Sequence, residues 1–161
     1  MRDALRAVQN ELRRRGVEGN YTRVENLHLT LAFIGEYHDP DAVLEAMAGA
    51  DFEPFTLKLA GLGAFGELWW AGLEESAELD ALVRRLRRAL ADASIPFDRK
   101  AFRPHVTIIR KPTYKNDPRL GSLAVPQAET TVGRISLMLS TRGKNGMIYT
   151  ELGSVPAREN G

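Results

Sequence analysis

Apolar residues along this chain fall into short runs of period two, set between segments of helical period. Residues 3–15 carry Leu5, Val8 and Leu12 at i, i+3 and i+7. That spacing predicts a helix, with Asp3 at its electropositive end. Gly16 and the polar run to Asn20 close it. Asn26–Gly35 is a short apolar run ending in glycine and predicts a strand. Asp39-Pro40-Asp41 opens a second helix, to about Ala48, with Asp39 as N-cap and Pro40 in the first helical position. Phe55–Leu62 alternates as a strand, and Gly61, Gly63 and Gly66 predict a loop. Leu68–Leu73 predicts another strand. Residues 77–92 form the strongest helix, with Leu79, Leu82, Val83, Leu86 and Leu90 in one stripe. Arg84, Arg85, Arg87 and Arg88 lie off that stripe and read as a solvated face. Phe102–Arg110 predicts a strand, and 112–126 a polar loop. Gly133–Ser140 and Met147–Leu152 predict a hairpin through Asn145-Gly146. Helices and strands mixed in this way predict an α+β fold.

Two of the strands break their own pattern. His28 and Thr30 sit two residues apart in the first, and His105 and Thr107 do the same in the second. Residues two apart on a strand share a face. The chain has three histidines, so two of the three stand in copies of one His-x-Thr pattern. His105 lies 77 residues after His28, Thr107 lies 77 after Thr30, and Asp80-Ala81-Leu82 lies 77 after Asp3-Ala4-Leu5. Phe55–Leu62 maps by the same shift onto 132–139. A helix, a His-x-Thr strand and a later strand therefore recur in order. The repeat predicts residues 1–161 to be a single domain of two lobes related by a pseudo-two-fold axis. Two antiparallel sheets would flank a central cleft with the helices outside, and the histidines would meet across the cleft. In the second copy a strand, Leu68–Leu73, precedes the helix; in the first copy the helix opens the chain. The first N-terminal strand of the duplicated fold is therefore expected to be missing.

Composition narrows the partners. A formal net charge of +1 argues against a strongly basic nucleic-acid coat, while leaving room for a local basic surface. No cysteine is present, so disulfide frameworks and thiolate zinc sites are excluded. The first residues carry no apolar signal segment, and no apolar run reaches bilayer length. The expectation is a cytoplasmic protein without a membrane partner.

A lone histidine on an apolar face is usually a satisfied core residue. Two, each with a threonine on the same face and placed by an internal repeat, point instead to phosphoryl transfer by general acid–base catalysis. One neutral imidazole takes a proton from the attacking oxygen, and one imidazolium gives a proton to the leaving oxygen. The ordinary imidazole pKa, about 6.5, suits both tasks near neutral pH. Threonine hydroxyls can donate to non-bridging phosphate oxygens. Carbonyls of neighbouring strands are expected to fix the ring tautomers. Arg110, at the end of the second strand, is a candidate phosphate ligand or a plain surface arginine. Zinc-ligand spacing, a phosphate-binding glycine loop and a Gly-x-Ser-x-Gly elbow are absent from the sequence. His38 reads as a loop residue.

Asn26-Leu27-His28-Leu29-Thr30-Leu31 and Phe102-Arg103-Pro104-His105-Val106-Thr107 resemble the paired motifs of the two-histidine phosphoesterases. More narrowly, the chain resembles the bacterial and archaeal RNA 2′,3′-cyclic phosphodiesterases, also called 2′-5′ RNA ligases. The likeness extends to Phe33-Ile34-Gly35, Gly61-Leu62-Gly63-Ala64-Phe65, Arg110 and the closing hairpin. It departs at the N-terminus, where family members usually begin with an apolar strand. The resemblance implies the bilobal α+β fold, no metal and no cofactor. It implies His28 and His105 as the catalytic pair, with Thr30, Thr107 and Arg110 on the phosphate. The implied reaction opens a terminal 2′,3′-cyclic phosphate to a 2′-phosphate, with 2′-5′ ligation as a side activity. His105 is taken as base and His28 as acid, a choice that the symmetry of the repeat leaves open. The expected partner is RNA with a cyclic phosphate end, tRNA fragments included, met by a monomer. Alternative readings are cleavage of 2′-5′-linked oligonucleotides or small cyclic nucleotides, and a non-catalytic RNA-end binder. Trp70 and Tyr149 are candidates to stack on a terminal base, though each reads first as core.

Overall fold

The computed structural model describes residues 1–159. Its elements in order are α1 (Arg2–Arg14), β1 (Glu18–Tyr21), α2 (Pro40–Ala48), β2 (Phe55–Phe65), β3 (Leu68–Leu73), α3 (Ala77–Asp92), β4 (His105–Thr113), β5 (Glu129–Val132), β6 (Arg134–Gly143) and β7 (Gly146–Pro156). The chain is α+β with antiparallel sheets, as its periodicities predict. Helices α2 and α3 start at side-chain caps. Asp39 Oδ1 accepts a hydrogen bond from Ala42 N at 3.1 Å, and Ser76 Oγ accepts one from Leu79 N at 3.1 Å.

Two compact units divide the chain. The first is built from residues 1–30, 57–75 and 103–130, and the second from 31–56, 76–102 and the chain from 131 on. The first unit holds a sheet in the order β1-β4-β3-β2-β5. One face of α1 covers it. Leu5, Val8 and Leu12 pack into a buried cluster with Leu59, Trp69, Ala71, Val106, Ile108 and Ile109. Each of the Leu, Val and Ile side chains among them stabilises the fold by roughly 1.5–3 kcal/mol relative to exposure. In the second unit β6 and β7 form an antiparallel ribbon. Val43, Met47, Leu79, Leu82, Val83, Leu86, Leu90 and Ile135 are buried there.

Several expectations are corrected. The strand expected over Asn26–Gly35 is instead a 3₁₀ turn at Val24–Asn26 followed by one isolated bridge, Leu29 to Val106. The same edge of β4 already carries β1, and the chain rejoins that edge only after the turn. β1 was hidden because Glu18-Gly19-Asn20-Tyr21 has no apolar alternation; it pairs with β4 from Glu18–Thr113 to Tyr21–Ile109. Gly19 is required there: its φ is +151°, and a Cβ would lie 2.7 Å from the Lys111 carbonyl oxygen. β5 was missed for the same want of an apolar pattern. Gly61 and Gly63 belong to β2 rather than a loop, and only Gly66 sits in the turn. The second motif strand begins at His105 and runs to Thr113, into the expected loop. The compact units do not follow the halves of the repeat: both His-x-Thr motifs lie in the first unit.

Candidate active site

Leu29 and Val106 face each other across an antiparallel bridge. Both turn toward the core of the first unit. Their neighbours therefore point to the opposite face, and antiparallel register sets His28 across from Thr107 and Thr30 across from His105. The two histidines are diagonal neighbours, roughly 7 Å apart at Cβ. An antiparallel bridge has a local two-fold axis. Here it exchanges Leu29 with Val106, His28 with His105 and Thr30 with Thr107, which is the shift of 77 in the sequence. At this one residue pair the shift of 77 coincides with a local dyad.

The dyad extends to the rings. His28 Nδ1 lies 2.6 Å from the Asn26 carbonyl oxygen, and His105 Nδ1 lies 2.6 Å from that of Arg103. A carbonyl only accepts, so Nδ1 carries the proton on both rings. In the neutral form this leaves the Nε2 lone pair as the reactive atom. The tautomer-fixing carbonyls come from the residue two positions before each histidine, not from neighbouring strands. His28 and Thr30 are exposed, whereas His105 and Thr107 are half-buried.

Arg110 reaches this face by a route that regular alternation forbids. It lies five positions after His105, an odd spacing that on an unbroken strand would put the two on opposite faces. The β3–β4 register slips between Trp69 and Trp70. Gly72 opposes His105, Trp70 opposes Thr107 and Leu68 opposes Arg110. Leu68, Trp70 and Gly72 share one face of β3, so their three partners share it too. The bulge also explains why consecutive Ile108 and Ile109 are both buried, at 1% and 0% exposure. Arg110 starts about 7 Å along the strand from Thr107, within reach of an arginine side chain.

An aromatic wall stands beside His105. Phe65 meets its ring edge to face at 5.3 Å between centroids, and Trp70 lies at 6.3 Å. Phe65 and Trp70 touch at 5.0 Å, and the Arg103 guanidinium lies 5.1 Å over Phe65. Gly63 makes the wall possible, because any Cβ there would collide with the Trp70 indole. Phe65 and Arg103 were not singled out as site residues. Arg103 was findable: it is the counterpart of Asn26 under the shift of 77. Of the two stacking candidates, Trp70 is on the motif face, while Tyr149 is on β7 of the second unit. His38 is exposed just before α2, its ring 4.7 Å from that of Tyr37, and belongs to the second unit.

Comparison with known proteins points one way. The family model described as the 2′-5′ RNA ligase superfamily matches residues 2–144. An RNA 2′,3′-cyclic phosphodiesterase of Aeropyrum pernix is 31% identical, over 98% of this chain and 97% of its own. One of Thermotoga maritima is 30% identical, over 90% and 83%. Among solved structures, TT0787 of Thermus thermophilus matches with a TM-score of 0.75 and 28% identity, covering 99% of this chain and 93% of its own. Escherichia coli LigT complexed with 3′-AMP matches at 0.76 with 22% identity, covering 99% and 94%, a likeness of fold.

Proposed function

This chain belongs to the 2′-5′ RNA ligase superfamily, and on that premise we propose that it is an RNA 2′,3′-cyclic phosphodiesterase that opens the terminal ring to a 2′-phosphate. The observation that carries the chemistry is the dyad: two imidazoles, each with Nδ1 held by a carbonyl at 2.6 Å, present Nε2 from diagonal positions on one face. A cyclic phosphate between them has its water on one side and its leaving oxygen on the other, the geometry for in-line displacement.

The steps balance. Nε2 of His105 takes a proton from water as the water oxygen attacks phosphorus. The bond from phosphorus to O3′ breaks, and O3′ takes the proton of His28 Nε2. The 2′-phosphate leaves, and proton exchange with solvent resets both rings. Thr30 and Thr107 donate to the non-bridging oxygens, and Arg110 offsets the charge that builds on them. With the 5′-hydroxyl of a second RNA in place of water, the same path joins RNA ends 2′-5′, and its reversal cuts that link. The proposal carries with it action as a monomer on RNA ends, tRNA fragments among them, in the cytoplasm.

The test is hydrolysis of a short RNA ending in 2′,3′-cyclic phosphate, in EDTA, with the product assigned by phosphorus NMR. His28→Ala and His105→Ala should each lose about a hundredfold or more, His38→Ala should keep wild-type turnover, and the product should be the 2′-phosphate. A folded wild type without turnover, or a folded His28→Ala or His105→Ala variant with full turnover, refutes the proposal.

A further inference from the structure

The exposed side of α3 carries more positive charge than a chain of net charge +1 can spread evenly. Arg84, Arg85, Arg87 and Arg88 line one shallow groove on the helix. The loop after α3 adds to it. Arg87 donates to the Lys100 carbonyl at 2.8 Å, and the guanidinium carbons of Arg87 and Arg99 lie 5.8 Å and 4.8 Å from the centre of the Phe97 ring. Arg84, Arg87, Arg88, Arg99 and Lys100 thus form one connected cationic surface, with half-buried Phe97 between two guanidinium groups. Arg84 with Arg88, Arg84 with Arg87 and Arg85 with Arg88 are like-charge neighbours at helical spacing, which costs helix stability.

Carboxylates stand near this surface but do not pair with it among the described residues. Asp80 and Asp92 stand one helical turn before Arg84 and after Arg88. Asp98 lies in the loop, its Oδ1 accepting from Lys100 N. None of these carboxylates forms an ion pair with any of the five cations, again among the described residues. Arg87 Nε is buried with no hydrogen-bond partner among them, a donor left over.

We propose that this surface of α3 and the 97–100 loop binds the phosphate backbone of single-stranded RNA. The inference rests on the reading of the chain as an RNA enzyme. Guanidinium groups interleaved with an aromatic ring suit a flexible phosphate chain that carries stackable bases. A membrane is the poorer fit: an interfacial helix inserts its apolar face, and here Leu79, Leu82, Val83, Leu86 and Leu90 are buried in the second unit.

The experiment compares a 2′,3′-cyclic mononucleotide with a twelve-residue RNA ending in 2′,3′-cyclic phosphate, across a salt series. Binding of a dye-labelled RNA is followed by anisotropy alongside. The variants are Arg84→Gln/Arg88→Gln/Arg99→Gln and a charge-matched control, Arg2→Gln/Arg6→Gln/Arg142→Gln. Wild type should favour the RNA over the mononucleotide, steeply so at low salt. The first variant should lose about tenfold of that preference, and its slope of log K against log salt should flatten by about two, the loss of three single-strand phosphate contacts. The control should keep most of both. An unchanged slope, or equal losses in the two variants, overturns the α3 surface while leaving the phosphodiesterase standing. Failure of folded wild type on both substrates overturns the enzyme reading and this one with it.

Discussion

Gln9 is the buried polar residue on which the first unit's chain path depends, and Gln9→Met should show it. Its side chain is 1% exposed on the sheet-facing side of α1. Nε2 donates to the Thr22 carbonyl at 2.7 Å and to the Ile108 carbonyl at 3.1 Å. Both partners only accept, so the amide orientation is dictated. Thr22 is where the chain leaves β1, just before the 3₁₀ turn whose Asn26 carbonyl holds His28. Ile108 is the residue beside the β4 bulge. One side chain therefore ties α1, the path to the first motif and the kink of the second.

Methionine keeps length and most of the volume while deleting both donors. Ile108 O is partly compensated, since it also accepts Thr22 N at 3.0 Å. Thr22 O loses its amide partner in a part-buried position. Two hydrogen bonds at about 1 kcal/mol each, with a further cost for the stranded carbonyl, set against a small gain from burying the thioether, give a net loss of about 2 kcal/mol. For a chain of this size that lowers Tm by about 4–8 °C. Urea titration of wild type and Gln9→Met, with thermal melts beside them, measures it. A variant as stable as wild type would refute the reasoning, because packing alone would then hold the β1 exit. Kinetics on a cyclic mononucleotide below the melting range give the second reading: kcat should fall several-fold as the path from Thr22 to His28 loosens.

Thr107→Val should lower kcat/KM by about a hundredfold with little change in Tm, and Thr107→Ser should recover most of it, since the hydroxyl rather than the methyl is the donor; steady-state kinetics on the cyclic mononucleotide decide. Hydrogen bonds from Arg14 and Arg15 lower the Glu11 pKa from 4.5 to about 2. Its contribution to stability is therefore present above the ordinary carboxylate range and fades as pH falls from about 4.5 toward 2. Glu11→Gln should be slightly less stable than wild type at neutral pH and low salt, with the gap closing near pH 2 and in high salt, as followed by urea midpoints.

Helical elements were legible because their signals are local. Leu79 to Leu90 at helical spacing, or Asp39-Pro40 at a helix start, declare themselves without reference to the rest of the chain. The paired motifs were legible because polar residues at fixed two-residue spacing inside apolar runs violate strand patterning twice, at one shift. What stayed hidden is set by pairing between distant segments. β1 is four polar residues that become a strand only because β4 offers an edge. The bulge that turns Arg110 toward Thr107 exists only relative to Trp69 and Trp70. Gly63 read as a turn residue until the Trp70 ring was seen to occupy the space of its missing side chain.

The repeat also explains why acid and base could not be told apart by pattern. A dyad through Leu29 and Val106 makes the two His-x-Thr units equivalent, down to carbonyl contacts of equal length. Nothing on the axis can separate the roles; they must be separated by what lies off it. Phe65, Trp70 and Arg103 gather at His105, which is half-buried, whereas His28 is exposed. Phe65 and Trp70 form a ring wall against His105, and a wall that meets the ribose from that side would favour one orientation of a bound cyclic end over the reverse. An orientation set in this way would place O3′ nearer one histidine than the other and select which gives up its proton. On the proposed mechanism the histidine pair supplies the chemistry, and the wall at His105 gives it direction.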